Sequence, residues 1–406
     1  MHAQEWLSDR KRAEGAGIRV GDFELHPGVG TEVGYLSNVF NADKHPVSSG
    51  ALRIAPHLFL STLGGERATE GDTQAAHPGM AAFRGGLSGS FMEYFAPNLP
   101  GSVGANLNLD LTLNPQRPVS FGLIETFDRT NPHSNISVTG PLKSSAAVPN
   151  FARNQETLGA RLILQTPGGL WKNDLGYRFL WDFFDSDQFK GNNNQVHTVD
   201  LNSSWEFLPK TAIFSRTDFA YQNYLNESVF APGSTAAIPR YTSVSDNYRA
   251  STRLGLNGAV TSRIAGTAAV GYAADYFKTG NNAESLVVNS EVRYVPADGT
   301  EWAVGYDRTL TPSFQGNFIK TDRLFTRARA MFGGSTLVSL RAGVEFLHYG
   351  ADINQGGAHR FDRRYFVEAS GEYRFVSWLA GTLQGGLMVD DTAFVFKAPT
   401  GPGGVV

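Results

Sequence analysis

From Trp171 to Asp185 the chain reads WKNDLGYRFLWDFFD, and apolar and polar residues take turns along it. Odd positions carry Trp171, Leu175, Tyr177, Phe179, Trp181 and Phe183, even positions carry Lys172, Asp174, Arg178 and Asp182, and Asn173 and Leu180 are the exceptions. A strand sends successive side chains to opposite faces, so this stretch is a ribbon with one aromatic face and one charged face. The pattern recurs at 102–113, where Val103, Ala105, Leu107, Leu109 and Leu111 oppose Asn106, Asn108, Asp110 and Thr112. It recurs again at 364–375, where Tyr365, Val367, Ala369, Tyr373 and Phe375 oppose Arg364, Glu368, Glu372 and Arg374. Similar alternation marks 23–35, 50–62, 83–95, 118–130, 155–165, 197–207, 211–221 and 246–256, then 264–272, 284–295, 300–309, 321–332, 336–346 and 378–389, with a last candidate at 393–398. The reading predicts about 18 strands, with 16 as the alternative, many of them longer than the roughly five or six residues of a soluble strand.

The connections carry independent information. From the fourth strand onward short ones (NPQRP, TPGG, LPK, VPADG, GGS) alternate with long ones (131–153, 184–196, 222–245, 273–283, 310–320, 347–362), and the long stretch 63–82 is out of step. Tight turns at one end and long loops at the other belong to an up-and-down barrel in an outer membrane. About ten residues at roughly 3.3 Å each, tilted near 45°, span roughly 24 Å, close to the apolar band of such a barrel. The aromatic face is therefore expected to meet lipid. Trp171, Trp205, Trp302 and Trp378 flank short turns and Trp181 sits near a long loop, the places of two interfacial aromatic girdles, while Glu125 breaks the outward pattern as a rim position. The expected fold is all-β, a single antiparallel up-and-down transmembrane β-barrel over 21–398, with 1–20 a periplasmic tail or short helix and 399–406 a disordered tail.

Composition narrows the class. A formal charge of -3 leaves no polybasic footprint, so nucleic acid is not an expected partner. Cysteine is absent, which removes disulfides and thiolate chemistry, and 45 Gly beside 28 Phe and 14 Tyr suit curved sheets. No run approaches the roughly 18 apolar residues of a membrane-spanning helix. The opening MHAQEW reads as a start Met joined to the end of a cleaved export signal. The expected place is the outer membrane of a Gram-negative bacterium, with outer-membrane lipid and lipopolysaccharide as partners.

Inward parity gathers the charged residues. Arg161, Arg178, Asp182 and Asp200 come first, followed by Arg249, Arg253, Glu291, Arg293, Glu301 and Asp307. Arg323, Arg327, Arg329 and Arg341 come next, and Glu345, Arg364, Glu368, Glu372 and Arg374 complete the set of lumen-lining candidates. Arg323, Arg327 and Arg329 lie beside strands supplying Glu301, Asp307 and Glu345, so cross-strand pairing is expected, as a stiffening network or as a substrate contact. The signs nearly balance, which favours a neutral or weakly charged passenger.

Catalytic signatures are scarce, and neither an enzyme nor a cofactor is expected. Gly28, Gly30 and Gly34 are spaced too widely for a dinucleotide fingerprint and lie within a strand, where glycine eases curvature. The nine His show no paired metal spacing, and His26 and His57 read as polar lining. Asp182, Asp185 and Asp187 could collect a divalent cation, but they equally suit a solvated loop. The long loop 131–153 contains no Asp or Glu and so argues against a charged eyelet.

The first hairpin, GDFELHPGVGTEVGYLSNVF followed by LRIAPHLFLST, resembles the outer-membrane beta-barrel porin type two family at Phe23, Pro27, Tyr35, Ser37, Asn38, Val39, Phe40 and Pro56. The resemblance covers about forty residues of the chain. It implies a channel for polymer translocation, exopolysaccharide secretion with a periplasmic polysaccharide-export protein as partner. The chain departs from the usual aromatic C-terminus of outer-membrane barrels by ending Val405-Val406. Two other functions fit the same pattern: a passive diffusion porin for small polar solutes, and a loop-plugged structural barrel of envelope machinery.

Overall fold

The computed structural model describes residues 17–21, 23–39, 46–62, 80–97, 99–115, 117–130, 152–185, 187–225, 245–313, 317–350, 360–376 and 378–392. Among them the regular elements are strands and two short 3-10 turns, and no helix is long and apolar enough to cross a membrane. The strands are β1 (Ile18–Val20), β2 (Phe23–Leu36), β3 (Ser49–Thr62), β4 (Ala81–Tyr94), β5 (Ser102–Leu113), β6 (Val119–Thr130), β7 (Arg153–Gln165), β8 (Trp171–Phe184) and β9 (Asn194–Leu208). They continue as β10 (Thr211–Tyr224), β11 (Asn247–Ala259), β12 (Ile264–Phe277), β13 (Ala283–Ala297), β14 (Thr300–Pro312), β15 (Phe318–Phe332), β16 (Thr336–Tyr349), β17 (Phe361–Val376) and β18 (Leu379–Thr392).

The fold is an all-β, antiparallel up-and-down β-barrel-like fold. Its strands form two compact units, residues 1–167 with 174–199, and 168–173 with 200–406. In the first, β1 to β7 pair consecutively and antiparallel, from Ile18↔Leu25 through Phe23↔Thr62 to Val119↔Leu164. In the second, β10 to β18 do the same, from Thr211↔Gly258 to Asp362↔Thr392. Short turns close one end of the hairpins. Between Ala297 and Thr300 the link is Asp298-Gly299, with Gly299 at φ 76, a left-handed backbone that only glycine adopts without strain.

Apart from β1, the strands run 12 to 16 residues, most of them longer than the pattern marked out. At about 3.3 Å per residue and a 45° tilt that is roughly 28–37 Å, so the strand ends stand clear of the hydrocarbon. Alternation weakens where both faces of a strand meet water, which is why the sequence pattern stops short. Ile18–Val20 forms a short strand on β2 where a tail or helix was expected. Residues 1–16, most of 63–82, the candidate strand at 393–398 and the tail 399–406 lie outside the described residues.

Burial is inverted relative to a soluble protein. Asp182, Asp307, Glu345, Asp362 and Arg364 are among the most buried side chains, whereas Val33, Leu87, Val103, Leu254, Trp302 and Leu383 are widely exposed. The exposed apolar face is the one that lipid covers, because backbone groups in hydrocarbon are satisfied only by such sheets or by helices.

Candidate functional site

On the polar face of the second unit, register brings two arginines to either side of a small residue. Arg293 on β13 faces Ala303 on β14, which faces Arg327 on β15. Glu291 lies across from Gly305, and Glu301 is two residues before Ala303, so a carboxylate sits above and another below the pair of guanidinium groups. Arg327 Nη2 is 2.8 Å from Glu291 Oε1 and 3.6 Å from Glu301 Oε1. Arg293 is 3.8 Å from Glu291 and 3.6 Å from Glu301. The arginine side chains are 46% and 47% exposed, against 20% for Glu291 and 34% for Glu301. The carboxylates lie against the wall and the guanidinium groups project from it. Next along the strands, Arg323 Nη2 donates to Asp307 at 2.5 Å, and Asn289 donates to the same carboxylate at 2.5 Å.

The other inner charges divide into paired and open ones. Arg364 is held between Glu345 at 3.3 Å and Asp390 at 3.0 Å, so Glu345 is taken by β17 rather than by Arg323 across from it on β15. Asp362, fully buried, binds Arg360 at 2.5 Å and accepts from Thr392. Arg249 lies 3.8 Å from Asp218 and directly across from the fully buried Asp275. Asn202 donates to Asp200 at 2.8 Å. Glu368 faces Arg341 across β16 and β17, Arg329 faces the same row as Glu301, and Arg253, Glu372 and Arg374 share their strands' polar faces. In the first unit Asp182 takes two hydrogen bonds from Arg153, at 2.8 and 2.5 Å, and Arg161 sits 3.4 Å from Asp110 and 4.0 Å from Asp174. Arg178 is exposed on that face.

A recurring device orients several of these arginines. Phe325, Phe366 and Phe214 stand directly across from Gly305, Gly343 and Gly255, and a β-carbon on any of the three glycines would fall inside van der Waals contact of the ring. Each ring lies flat where its partner has no side chain, and a guanidinium sits over it: Arg323 over Phe325 at 5.1 Å, Arg341 over Phe366 at 5.6 Å and Arg216 over Phe214 at 5.2 Å. These phenylalanines face the polar wall, so the aromatics are not confined to the outer face. The signal was available as cross-strand Phe-Gly pairs, but only once register was known. Gly28 has the same use, since it lets the His57 ring lie against the strand.

Asp182 and Asp185 do not converge on a cation: the first is bound by Arg153, the second by Arg129 at 2.6 Å and Asn154 at 2.8 Å. The hydrogen bond from Arg129 holds the Asp185 carboxyl below the ordinary carboxylate range. The side chain of Asp187 is outside the described set, and among the described residues no three His, Asp or Glu are placed to hold a metal. On the apolar face Trp171 stacks on Trp205 at 5.4 Å, Trp302 donates to Thr326 at 2.7 Å, Trp181 packs on Phe183 at 4.8 Å and Trp378 is open.

No family model matches the chain, and no curated protein matches it in sequence. Several solved structures show a partial likeness. The FrpB iron transporter from Neisseria meningitidis is 9% identical with a TM-score of 0.49, the alignment covering 92% of this chain and 62% of that one. The siderophore receptor PiuA from Acinetobacter baumannii is 10% identical with a TM-score of 0.44, covering 93% and 64%. OmpT, an outer membrane protein of Vibrio cholerae, is 11% identical with a TM-score of 0.43, covering 93% and 99%. The chain thus spans about three-fifths of the length of the iron transporter.

These findings correct the expectation drawn from the first hairpin. The porin type two resemblance gains no family match, and the similar solved structures are of an iron transporter, a siderophore receptor and an outer membrane protein. Exopolysaccharide secretion, its periplasmic polysaccharide-export partner, the passive porin and the plugged structural barrel are accordingly set aside. A short run of Phe, Pro and Asn recurs by chance in strands and turns, and forty residues of it did not define a family. The chain is an all-β protein of antiparallel up-and-down strands with an exposed apolar face on one side and a charged face on the other, the build of an outer-membrane barrel.

Proposed function

We propose that the chain is a solute-binding transport barrel whose inner wall takes an anionic solute at the Arg293 and Arg327 pair. The observation that carries this is the layering of charge: two guanidinium groups project, half exposed, from a wall in which their carboxylate partners lie lower. A planar guanidinium matches a carboxylate or phosphate with two parallel hydrogen bonds, and an exposed ion pair is weak enough to exchange partners. Nearly balanced inner charge in the sequence does not preclude this, because selection follows which sign reaches the water. Carboxylate-rich metal chelates fall in this chemical class, but the proposal rests on the wall.

Calorimetric titration of the detergent-solubilised protein with citrate, ferric citrate and an uncharged sugar tests it. Saturable binding of an anion, weakened about tenfold in the Arg293→Gln/Arg327→Gln double variant, is the expected result. Binding of the uncharged sugar alone, or anion binding indifferent to the two substitutions, would refute it.

A further inference from the structure

The face of β14 to β17 that points away from the charged wall is apolar for most of its height. Trp302, Val304, Leu324, Leu340, Tyr365 and Val367 are all exposed there. Nearer the long connections the same alternate positions turn polar: Tyr306 and Arg308 on β14, Lys320 and Asp322 on β15, His348 on β16 and Arg363 on β17. Register joins them, with Arg308 across from Asp322, Lys320 across from His348, and His348 across from Phe361.

Within this patch Asp322 is spent. It accepts from Arg308 at 2.6 and 3.0 Å and from the Tyr306 hydroxyl. Lys320, His348 and Arg363 make no salt bridge within 4.0 Å among the described residues, although Asp322 lies within electrostatic reach of His348 and Asp391 faces Arg363 in register. Each rests on an aromatic ring instead: Lys320 lies 5.7 Å over Phe318, Arg363 5.5 Å over Phe361, and the His348 ring 4.6 Å from Phe361. Cations on a lipid-facing surface are tolerated only near the interface, where their cost falls from about 2–4 kcal/mol to about 0–1. This level, at the long-loop end, is where outer-leaflet headgroups sit. The anions found there, directly above an apolar face that acyl chains cover, are headgroup phosphates.

We propose that Lys320, His348 and Arg363 dock the phosphorylated headgroup of an outer-leaflet lipid, whose chains lie along Leu324, Val367 and Tyr365. None of the three belongs to the inner wall, so the site stands apart from solute binding. The test places the full chain in phosphatidylcholine nanodiscs, adds bisphosphorylated lipid A, and counts bound lipid by native mass spectrometry. Bisphosphorylated lipid A is expected to bind in preference to its dephosphorylated form, and about tenfold more weakly to Lys320→Ala/Arg363→Ala that retains heat-modifiable migration. Should that variant fail to insert, wild-type protein with a headgroup-photoreactive lipid A is expected to give adducts on peptides of β15 to β17. Equal binding of the dephosphorylated lipid, unchanged binding in the variant, adducts confined to other strands, or displacement by inorganic phosphate would overturn the proposal, the last assigning the patch to a free anion.

Discussion

Two charged clusters on the inner wall of the second unit use the same residue types to different ends. Around Ala303, Arg293 and Arg327 are half exposed and share two glutamates at mostly 3.6–3.8 Å. A few strands away Arg364 is 7% exposed and clamped between Glu345 and Asp390 at 3.3 and 3.0 Å. An exposed pair in water is worth little, while a buried charge is costly to leave alone. The first cluster can exchange a carboxylate for a ligand; the second cannot, and serves the wall.

That contrast is breakable. The largest effect is expected from Arg364→Ala, which strands two carboxylates on the wall and should destabilise the barrel by about 3–5 kcal/mol in urea unfolding from detergent micelles. A loss below about 1 kcal/mol would place Arg364 with the open cluster. Gly343→Leu is expected to cost about 1–3 kcal/mol, because the new side chain occupies the place of the Phe366 ring. The Arg293→Gln/Arg327→Gln variant should lose under about 1 kcal/mol of stability while its anion affinity falls, which separates the two roles in one protein.

The smallest effect concerns acid. Asp185 has its pKa lowered by Arg129, below the roughly 3.9 of an unfolded chain, so its contribution is complete above that value and fades as pH falls through the folded pKa. Because the pair is part exposed, Asp185→Asn should remove no more than about a few tenths of a kcal/mol at neutral pH, and flatten the stability profile only below about pH 4.

How far the sequence carried depends on what each feature needs. Strand existence and facing were legible because alternation at period two is a property of single segments, as in 171–185. The strand ends were not, since beyond the hydrocarbon neither face requires apolar residues. Pairing required register: Glu345 has arginines on both neighbouring strands, Arg323 and Arg364, and only the register and side-chain geometry show that it bonds to the second. Arg153, Arg360, Asp362 and Asp390 lie just beyond the segments the alternation marks out, and Asp218 lies within one in plain inward parity, yet all of them complete ion pairs. The functional expectation failed for a different reason, because it leaned on a short hairpin likeness and not on the wall.

The phenylalanine seats carry a consequence for how the sheet is assembled. A ring that fits only against a missing side chain acts as a key cut for one notch. If β15 slid by one residue against β14 during insertion, Phe325 would meet a β-carbon instead of the bare backbone of Gly305, and Arg323 and Arg327 would swing toward hydrocarbon. Misaligned hairpins would thus be rejected strand by strand, well before any cargo tested the finished protein.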